Sequence, residues 1–105
     1  MAWSDVLVFT RVWEYDVPPA HVADFVAAYG PDGDWARLFG TADGYLSTDL
    51  YRSTDIPGRF LTVDRWADEA SWQAFVAASS SAYDALDVRL TRLADGGRLV
   101  LEDST

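Results

Sequence analysis

The chain has 105 residues, with 8 Lys and Arg against 17 Asp and Glu, and a formal net charge of −9. This acidic balance argues against nucleic acid and anionic membranes as partners, because both are bound by clusters of basic side chains. The sequence contains no cysteine, which excludes disulfides and thiolate metal sites. A chain of this length is expected to form one domain, residues 1–105.

No apolar run approaches the roughly 20 residues that a membrane span needs. The N-terminal sequence MAWSDVLVF also lacks the basic and apolar regions of a signal peptide. We therefore expect a cytoplasmic protein.

Alternating side chains predict a first strand over residues 6–15, since a period of two is typical of strands. Pro18 and Pro19 end that strand and begin a helix, because proline is tolerated in a first helical turn. The helix carries an apolar stripe made by Val22, Phe25, Val26 and Tyr29. After a Gly-Pro-Asp-Gly turn, a short helical piece places Trp35 and Phe39 on one side.

Three more strands are predicted further along the chain. Residues 45–53 and 60–66 alternate in the same way and flank a hairpin loop that contains Pro and Gly, two strong turn formers. A last strand is predicted over residues 98–102. The third strand has bulky groups on both faces, so we expect both of its faces to be covered.

The chain between the third and last strands has helical spacing over residues 68–93. Asp68 is its predicted N-cap, because a short carboxylate can accept a hydrogen bond from a free amide of the first turn. Three consecutive serines at 79–81 are expected to divide the region into two helices, because serine competes for backbone hydrogen bonds.

The order strand, helix, strand, strand, helix, strand is that of the ferredoxin-like split βαβ fold, an α+β class. It predicts a four-stranded antiparallel sheet with helices on one face and the other face bare. The aliphatic face of the strands contains Val6, Val8, Val12, Leu46, Leu50, Leu61 and Val63. The aromatic and polar face contains Phe9, Arg11, Trp13, Tyr15, Tyr45, Asp49, Tyr51, Phe60, Asp64 and Trp66.

The aliphatic face, if left bare, would be a larger apolar patch than monomers usually expose. Pairing two sheets face to face would bury it. We therefore predict a two-fold homodimer with a barrel-like core, in which the aromatic face lies under the helices of each subunit.

Three segments look like known sequences: Gly44-Tyr45-Leu46 at the start of the second strand, DWARLF at 34–39, and FLTVDRWADEASWQAF at 60–75. With the βαββαβ order, they make residues 6–102 resemble the antibiotic biosynthesis monooxygenase (ABM) family of dimeric α/β barrels. The resemblance implies a pocket between sheet and helices that binds a small aromatic or hydrophobic ligand. It also implies no metal or flavin, because the deprotonated phenolic or anthrone-type substrate of such oxygenases itself donates electrons to oxygen.

Aromatic residues are the first candidates for lining that pocket. The resemblance places Trp66 where such enzymes often carry a pocket Trp, and Thr62 where some carry an Asn, a residue that this chain lacks. The predicted substrate-binding residues are Trp66, Trp13, Trp35, Phe39, Phe9 and Tyr45. Ordinary core packing is the alternative for aromatic side chains on a strand face.

Arg11 and Asp64 are the predicted catalytic pair. They fall on adjacent strands, on the aromatic face, where burial of a charge is costly unless the charge is paired. A structural ion pair, with Asp49 as a further partner, is one interpretation. The functional one is that Arg11 holds a substrate oxyanion and, with Asp64, polarises the substrate.

His21, the only histidine, falls in the first turn of a helix and is expected to be a surface or capping residue. One histidine without carboxylates at matching spacing predicts no metal site. A haem-degrading branch of the fold uses an axial His late in the second helical region, and here Ala85 lies near that place. The alternative to an oxygenase is a non-catalytic dimer that binds a hydrophobic ligand or acts as a scaffold.

Overall fold

The computed structural model describes residues 8–104. The elements are β1 (Phe9–Asp16), α1 (Val22–Tyr29), α2 (Asp34–Phe39), β2 (Tyr45–Arg52), β3 (Arg59–Trp66), α3 (Glu69–Leu90) and β4 (Gly96–Ser104), with 3-10 turns at Pro19–His21 and Thr91–Leu93. The predicted beginning of the first strand, at Val6, lies outside the described residues. None of the helices in the described part of the chain is long and apolar enough to cross a membrane.

The sheet has the strand order β2-β3-β1-β4, and every neighbouring pair is antiparallel. This is the ferredoxin-like α+β architecture predicted from the element order, with β2 and β4 at its edges. In β1 and β3, Arg11 lies directly opposite Asp64. The sequence therefore predicted the topology correctly, as well as the placement of these two residues on adjacent strands.

Helix α3 begins and bends where the sequence indicated. The Asp68 carboxylate accepts a hydrogen bond from the Ser71 backbone N–H at 2.8 Å and another from the Ser71 hydroxyl at 2.7 Å. Ser79 has non-helical angles, φ −125° and ψ 22°, so the helix is kinked there. The helical region therefore consists of two helices that meet at a kink in the serine run, as predicted.

Aromatic side chains fill the layer between the sheet and the helices. Phe60 and Trp66 from β3 are almost completely buried, as is Phe25 from α1. Trp66 meets Trp72 of α3 with ring centres 5.4 Å apart in an edge-to-face arrangement, a geometry that adds stability beyond area burial. The aromatic face of β1 and β3 therefore lies under the helices, as predicted.

The predicted faces of β2 are wrong from Ser47 onward. Tyr45 pairs with Trp66, but Ser47 already pairs with Arg65, so one extra residue, Leu46, forms a β-bulge. Because side chains alternate with a period of two, one extra residue moves all that follow to the other face. Residues on the core side of β2 after the bulge are Thr48 and Leu50, while Asp49 and Tyr51 lie on the bare side.

The bare face of the sheet is less aliphatic than predicted. Val63 is buried at its centre, but Arg65 and Asp49 form an ion pair there at 2.6 Å. A second set of charges, in which Glu14 contacts both Arg59 and Arg98, lies toward the other end. The aliphatic stripe of the bare face, made by Val12, Leu61 and Val63, is therefore flanked by ion pairs.

Candidate active site

A cavity of about 260 Å³ lies between the sheet and the helices. Side chains from three strands and all three helices line it, and it lies where the family resemblance implied a pocket. Its polar lining residues include Arg11, Tyr15, Tyr29, Thr48, Thr62, Asp64, Tyr83, Asp87 and Thr91, and its aromatic walls are Trp13, Trp35 and Phe39.

The structure brings together both predicted catalytic residues and three of the predicted substrate-binding residues, Trp13, Trp35 and Phe39. Trp66 and Phe9 do not line the cavity and belong to the core beside it. Tyr45 stands one layer behind the wall, with its ring centre 5.4 Å from that of Trp66. His21 is at the surface margin and does not line this cavity.

Asp64 has an environment suited to proton transfer. Its removal from water raises its pKa to about 6, although the Thr48 hydroxyl and the Arg11 charge act in the opposite direction. The Thr48 hydroxyl donates to Asp64 Oδ1 at 2.6 Å. A carboxylate with such a pKa is ionised at neutral pH yet basic enough to accept a proton.

Arg11 is held from several sides, although not by Asp64. Its Nε donates to Glu102 Oε2 at 2.8 Å, and its guanidinium lies 4.1 Å from the ring centre of Trp72. The predicted ion pair with Asp49 is wrong, because that residue pairs with Arg65 on the bare face. The guanidinium carries five N–H donors, so Arg11 can contact a ligand while it keeps Glu102.

Tyrosines surround the same space. Burial raises the pKa of Tyr29, and burial likewise raises the pKa of Tyr83 and of Tyr15. All three hydroxyls therefore stay protonated at neutral pH and can donate hydrogen bonds but cannot act as bases. Among residues 8–104, two carboxylates line the cavity, and one of them, Asp87, is exposed. Asp64, which is buried and has a raised pKa, is therefore the group best suited to accept a proton.

The indole N–H of Trp35 is buried and lies close enough to the Tyr29 hydroxyl to oppose the rise in the pKa of that tyrosine. It makes no well-aligned hydrogen bond among residues 8–104, so a ligand oxygen in the cavity would give this buried donor a better acceptor. In the same part of the chain, no three His, Asp or Glu side chains cluster closely enough to hold a metal ion.

Sequence reasoning missed several lining residues. Tyr15 shares the alternation of Arg11 and Trp13 and could have been found from that signal. Thr48 was hidden by the bulge, which reversed its predicted face. Tyr29 and Asp87 lie on helices, where spacing alone does not distinguish a cavity wall from a packed core.

Comparison with known families settles the relationship. The family described as Antibiotic biosynthesis monooxygenase matches residues 8–82. The chain belongs to the ABM family. The matched segment runs from β1 to residue 82 of α3, just after the kink at Ser79. It contains both Arg11 and Asp64. No curated protein matches the chain.

Solved structures with the same fold include ABM-fold oxygenases. A monooxygenase from the gene ActVA-Orf6 of Streptomyces coelicolor, solved with the ligand nanaomycin D, is 19% identical, with a TM-score of 0.74 over 96% of this chain and 89% of that chain. A mutant of SnoaB, a cofactor-independent oxygenase from Streptomyces nogalater, is 20% identical, with a TM-score of 0.67 and coverage of 93% and 95%.

A conserved protein from Methanosarcina mazei Go1 is also similar, at 16% identity, with a TM-score of 0.65 over 100% of this chain and 95% of that chain. At such identities, the structural likeness establishes the ABM fold alone. A fold carries several functions, so the reaction must be argued from the residues of the cavity.

Proposed function

We propose that this ABM protein is a cofactor-independent monooxygenase that acts on a small aromatic or polyketide-type molecule with an acidic C–H or O–H group. One observation carries the proposal: a buried carboxylate with a pKa of about 6 and an arginine face the same aromatic-walled cavity. The oxygenase relatives of the same fold, one of them solved with nanaomycin D, support the reaction class.

The reaction balances without a cofactor if the substrate is an anthrone. Asp64 takes one proton from the reactive CH₂ group, and the resulting carbanion adds O₂ to form a peroxide that recovers the proton. Loss of water then breaks the O–O bond and the second C–H bond, so that the CH₂ group becomes a ketone. The substrate supplies all four electrons that reduce O₂ to the ketone oxygen and water.

The other cavity residues have roles in this scheme. Arg11 and the N–H of Trp35 would bind the substrate oxygen as it gains negative charge. The aromatic walls, Trp13 and Phe39, would exclude water from the carbanion. A volume of about 260 Å³ lies just below the usual range of roughly 300–1,000 Å³ for ligand pockets, which favours a compact substrate.

That small volume also favours the second candidate, a non-catalytic ligand-binding or scaffold protein. The two proposals differ in one measurement. A phenolic ligand would raise the melting temperature in either case, because binding to the folded state stabilises it, whereas only the enzyme would consume oxygen.

We also propose that the protein forms a homodimer through the bare face of the sheet. Support comes from β4, an edge strand whose nine residues are all exposed in the single chain. Leu99, Val100 and Leu101 are among them. Exposed apolar edge strands invite pairing with another chain, and a second copy would cover both the strand and the adjacent aliphatic stripe.

Arg11→Ala should abolish oxygen uptake with an anthrone substrate, because the developing oxyanion loses its cationic partner. Loss of such a donor typically costs about 10²–10³ in rate. The measurement is oxygen consumption in a closed electrode chamber, with circular dichroism to confirm folding.

Arg89→Ala is the matched control. Arg89 also pairs with a carboxylate, that of Asp34 at 2.9 Å, but it is exposed on α3 and does not line the cavity. Equal uptake by the wild type and Arg11→Ala would remove Arg11 from the mechanism.

A further inference from the structure

A chain of two hydroxyl groups leads to Asp64 from β2. The Tyr45 hydroxyl lies 2.7 Å from Thr48 Oγ1, and Thr48 Oγ1 donates to Asp64 Oδ1 at 2.6 Å. A threonine hydroxyl has a single proton, and Thr48 gives it to Asp64. The Tyr45 hydroxyl must therefore be the donor in its bond to Thr48, so both bonds point toward the carboxylate.

The sheet holds this chain in place. Thr48 lies directly opposite Asp64 in the β2–β3 ladder, so the register fixes the contact between their side chains. Tyr45 and Thr48 are three positions apart and would lie on opposite faces of a regular strand. The bulge at Leu46 brings them to one face, and bulges are often found where a side chain must be re-aimed.

We propose that Thr48 and Tyr45 are positioning residues for Asp64: their hydroxyl chain occupies Oδ1 and leaves Oδ2 as the atom that takes the proton of the substrate. This inference rests on the proposed oxygenase function for its catalytic meaning. The geometric part, that the chain holds one carboxylate oxygen and favours the ionised form, is independent of turnover.

Two donors in series have a predictable effect on Asp64. Hydrogen bonds to the charged form of a group favour that form, and two aligned bonds polarise each other. The other titratable or charged groups near Asp64, in the described part of the chain, are Arg11 and Tyr15 on β1, Tyr45 on β2, Arg65 on β3, and Tyr83 and Asp87 on α3. Substitutions at Thr48 leave all of these side chains in the protein.

The test is the titration of the Asp64 carboxyl carbon by NMR in protein with ¹³C-labelled aspartate, where the Asp64 signal is the one lost in Asp64→Asn. Thr48→Val should move the midpoint upward by about 1 pH unit, since the ionised carboxylate loses a hydrogen bond that favours it. Tyr45→Phe should move it less, in the same direction. Thr48→Ser, which keeps the hydroxyl, should stay close to the wild type.

The pH dependence of oxygen uptake with an anthrone then tests the catalytic meaning, since its midpoint should follow the NMR midpoint in each variant. An unmoved NMR midpoint in folded Thr48→Val overturns the inference. Thr48→Ala decides the matter in the same way if the valine variant does not fold. A wild type that consumes no oxygen, together with a midpoint that moves in Thr48→Val, would refute the oxygenase and leave the hydroxyl chain standing.

Discussion

Asp64 is the residue on which the proposed chemistry depends, and its burial has a cost in stability. Its pKa of about 6 in the folded protein lies above its ordinary value of 3.8, so the folded state binds this proton more tightly than the unfolded chain does. The contribution of Asp64 to stability therefore falls as the pH rises from about 4 to about 6, and stays low above that range. The rise in the pKa of Asp64 from 3.8 to about 6 corresponds to a decrease of about 3 kcal/mol in the free energy of unfolding at neutral pH.

Asp64→Asn should therefore increase the free energy of unfolding by about 1–3 kcal/mol at pH 7, because the amide can still accept the Thr48 proton without carrying a charge. Near pH 4, where the folded wild type already holds the proton, the gain should disappear. Urea unfolding at both pH values measures this difference.

Asp49→Asn is the control, since it removes an aspartate of the neighbouring strand from its ion pair with Arg65 on the bare face. It should bring no gain in stability. A loss of stability at pH 7 in Asp64→Asn would indicate that Asp64 is a structural residue and contradict its role as a base.

At the scale of elements, strong periodicity and charge burial explain what the sequence could predict. The alternation in β1 and β3 identified the face under the helices, and the cost of burying charges identified Arg11 and Asp64 as unusual on that face. The faces of β2 could not be found by counting, because one bulge residue, Leu46, reverses the period. Polarity argued against the predicted faces of β2, since they would have buried Asp49 and exposed Leu50.

Contacts between side chains of different elements could not be predicted from the sequence. The partner of Arg11 is Glu102 on β4, and nothing in the spacing along the chain favours this carboxylate over the others. The cavity itself arises from the way in which aromatic side chains of different elements pack, and composition predicts their burial but not the space that they leave.

The Asp68 side chain caps the beginning of α3 and is expected to stabilise the helix. The two hydrogen bonds from Ser71 to Asp68 lower the pKa of that carboxyl, so its stabilising effect is present above the ordinary range of aspartate and is lost as the pH falls through the lowered value. Asp68→Ala should lower the melting temperature at pH 7, because the first turn loses its cap.

Asp68→Asn, which keeps a side-chain oxygen as acceptor, should melt close to the wild type. Thermal melts followed by circular dichroism at pH 7 and pH 3 measure both variants. An alanine variant as stable as the wild type at pH 7 would mean that tertiary packing alone determines where α3 begins.

For the whole molecule, the homodimer is the main expectation. Leu101 lies opposite Val12 in the ladder and is half exposed in the single chain. Leu101→Arg should shift the protein to monomers, because it places an unpaired charge in an apolar interface. Light scattering after size exclusion measures the mass.

Val88→Arg is the matched control, since Val88 is 75% exposed but lies on α3, on the helical side of the sheet. It should leave the dimer intact. A wild type that is monomeric in dilute solution would refute the dimer without bearing on the cavity.

The role of Asp64 as the catalytic base is tested by the pH dependence of oxygen uptake by the wild type and by Asp64→Asn with an anthrone substrate. We predict that uptake by the wild type rises with pH through about 6, as the Asp64 carboxyl, whose pKa lies there, loses its proton. Asp64→Asn should consume no oxygen above the uncatalysed rate at any pH. Uptake by Asp64→Asn equal to that of the wild type would exclude Asp64 as the base, and no uptake by the folded wild type would refute the oxygenase.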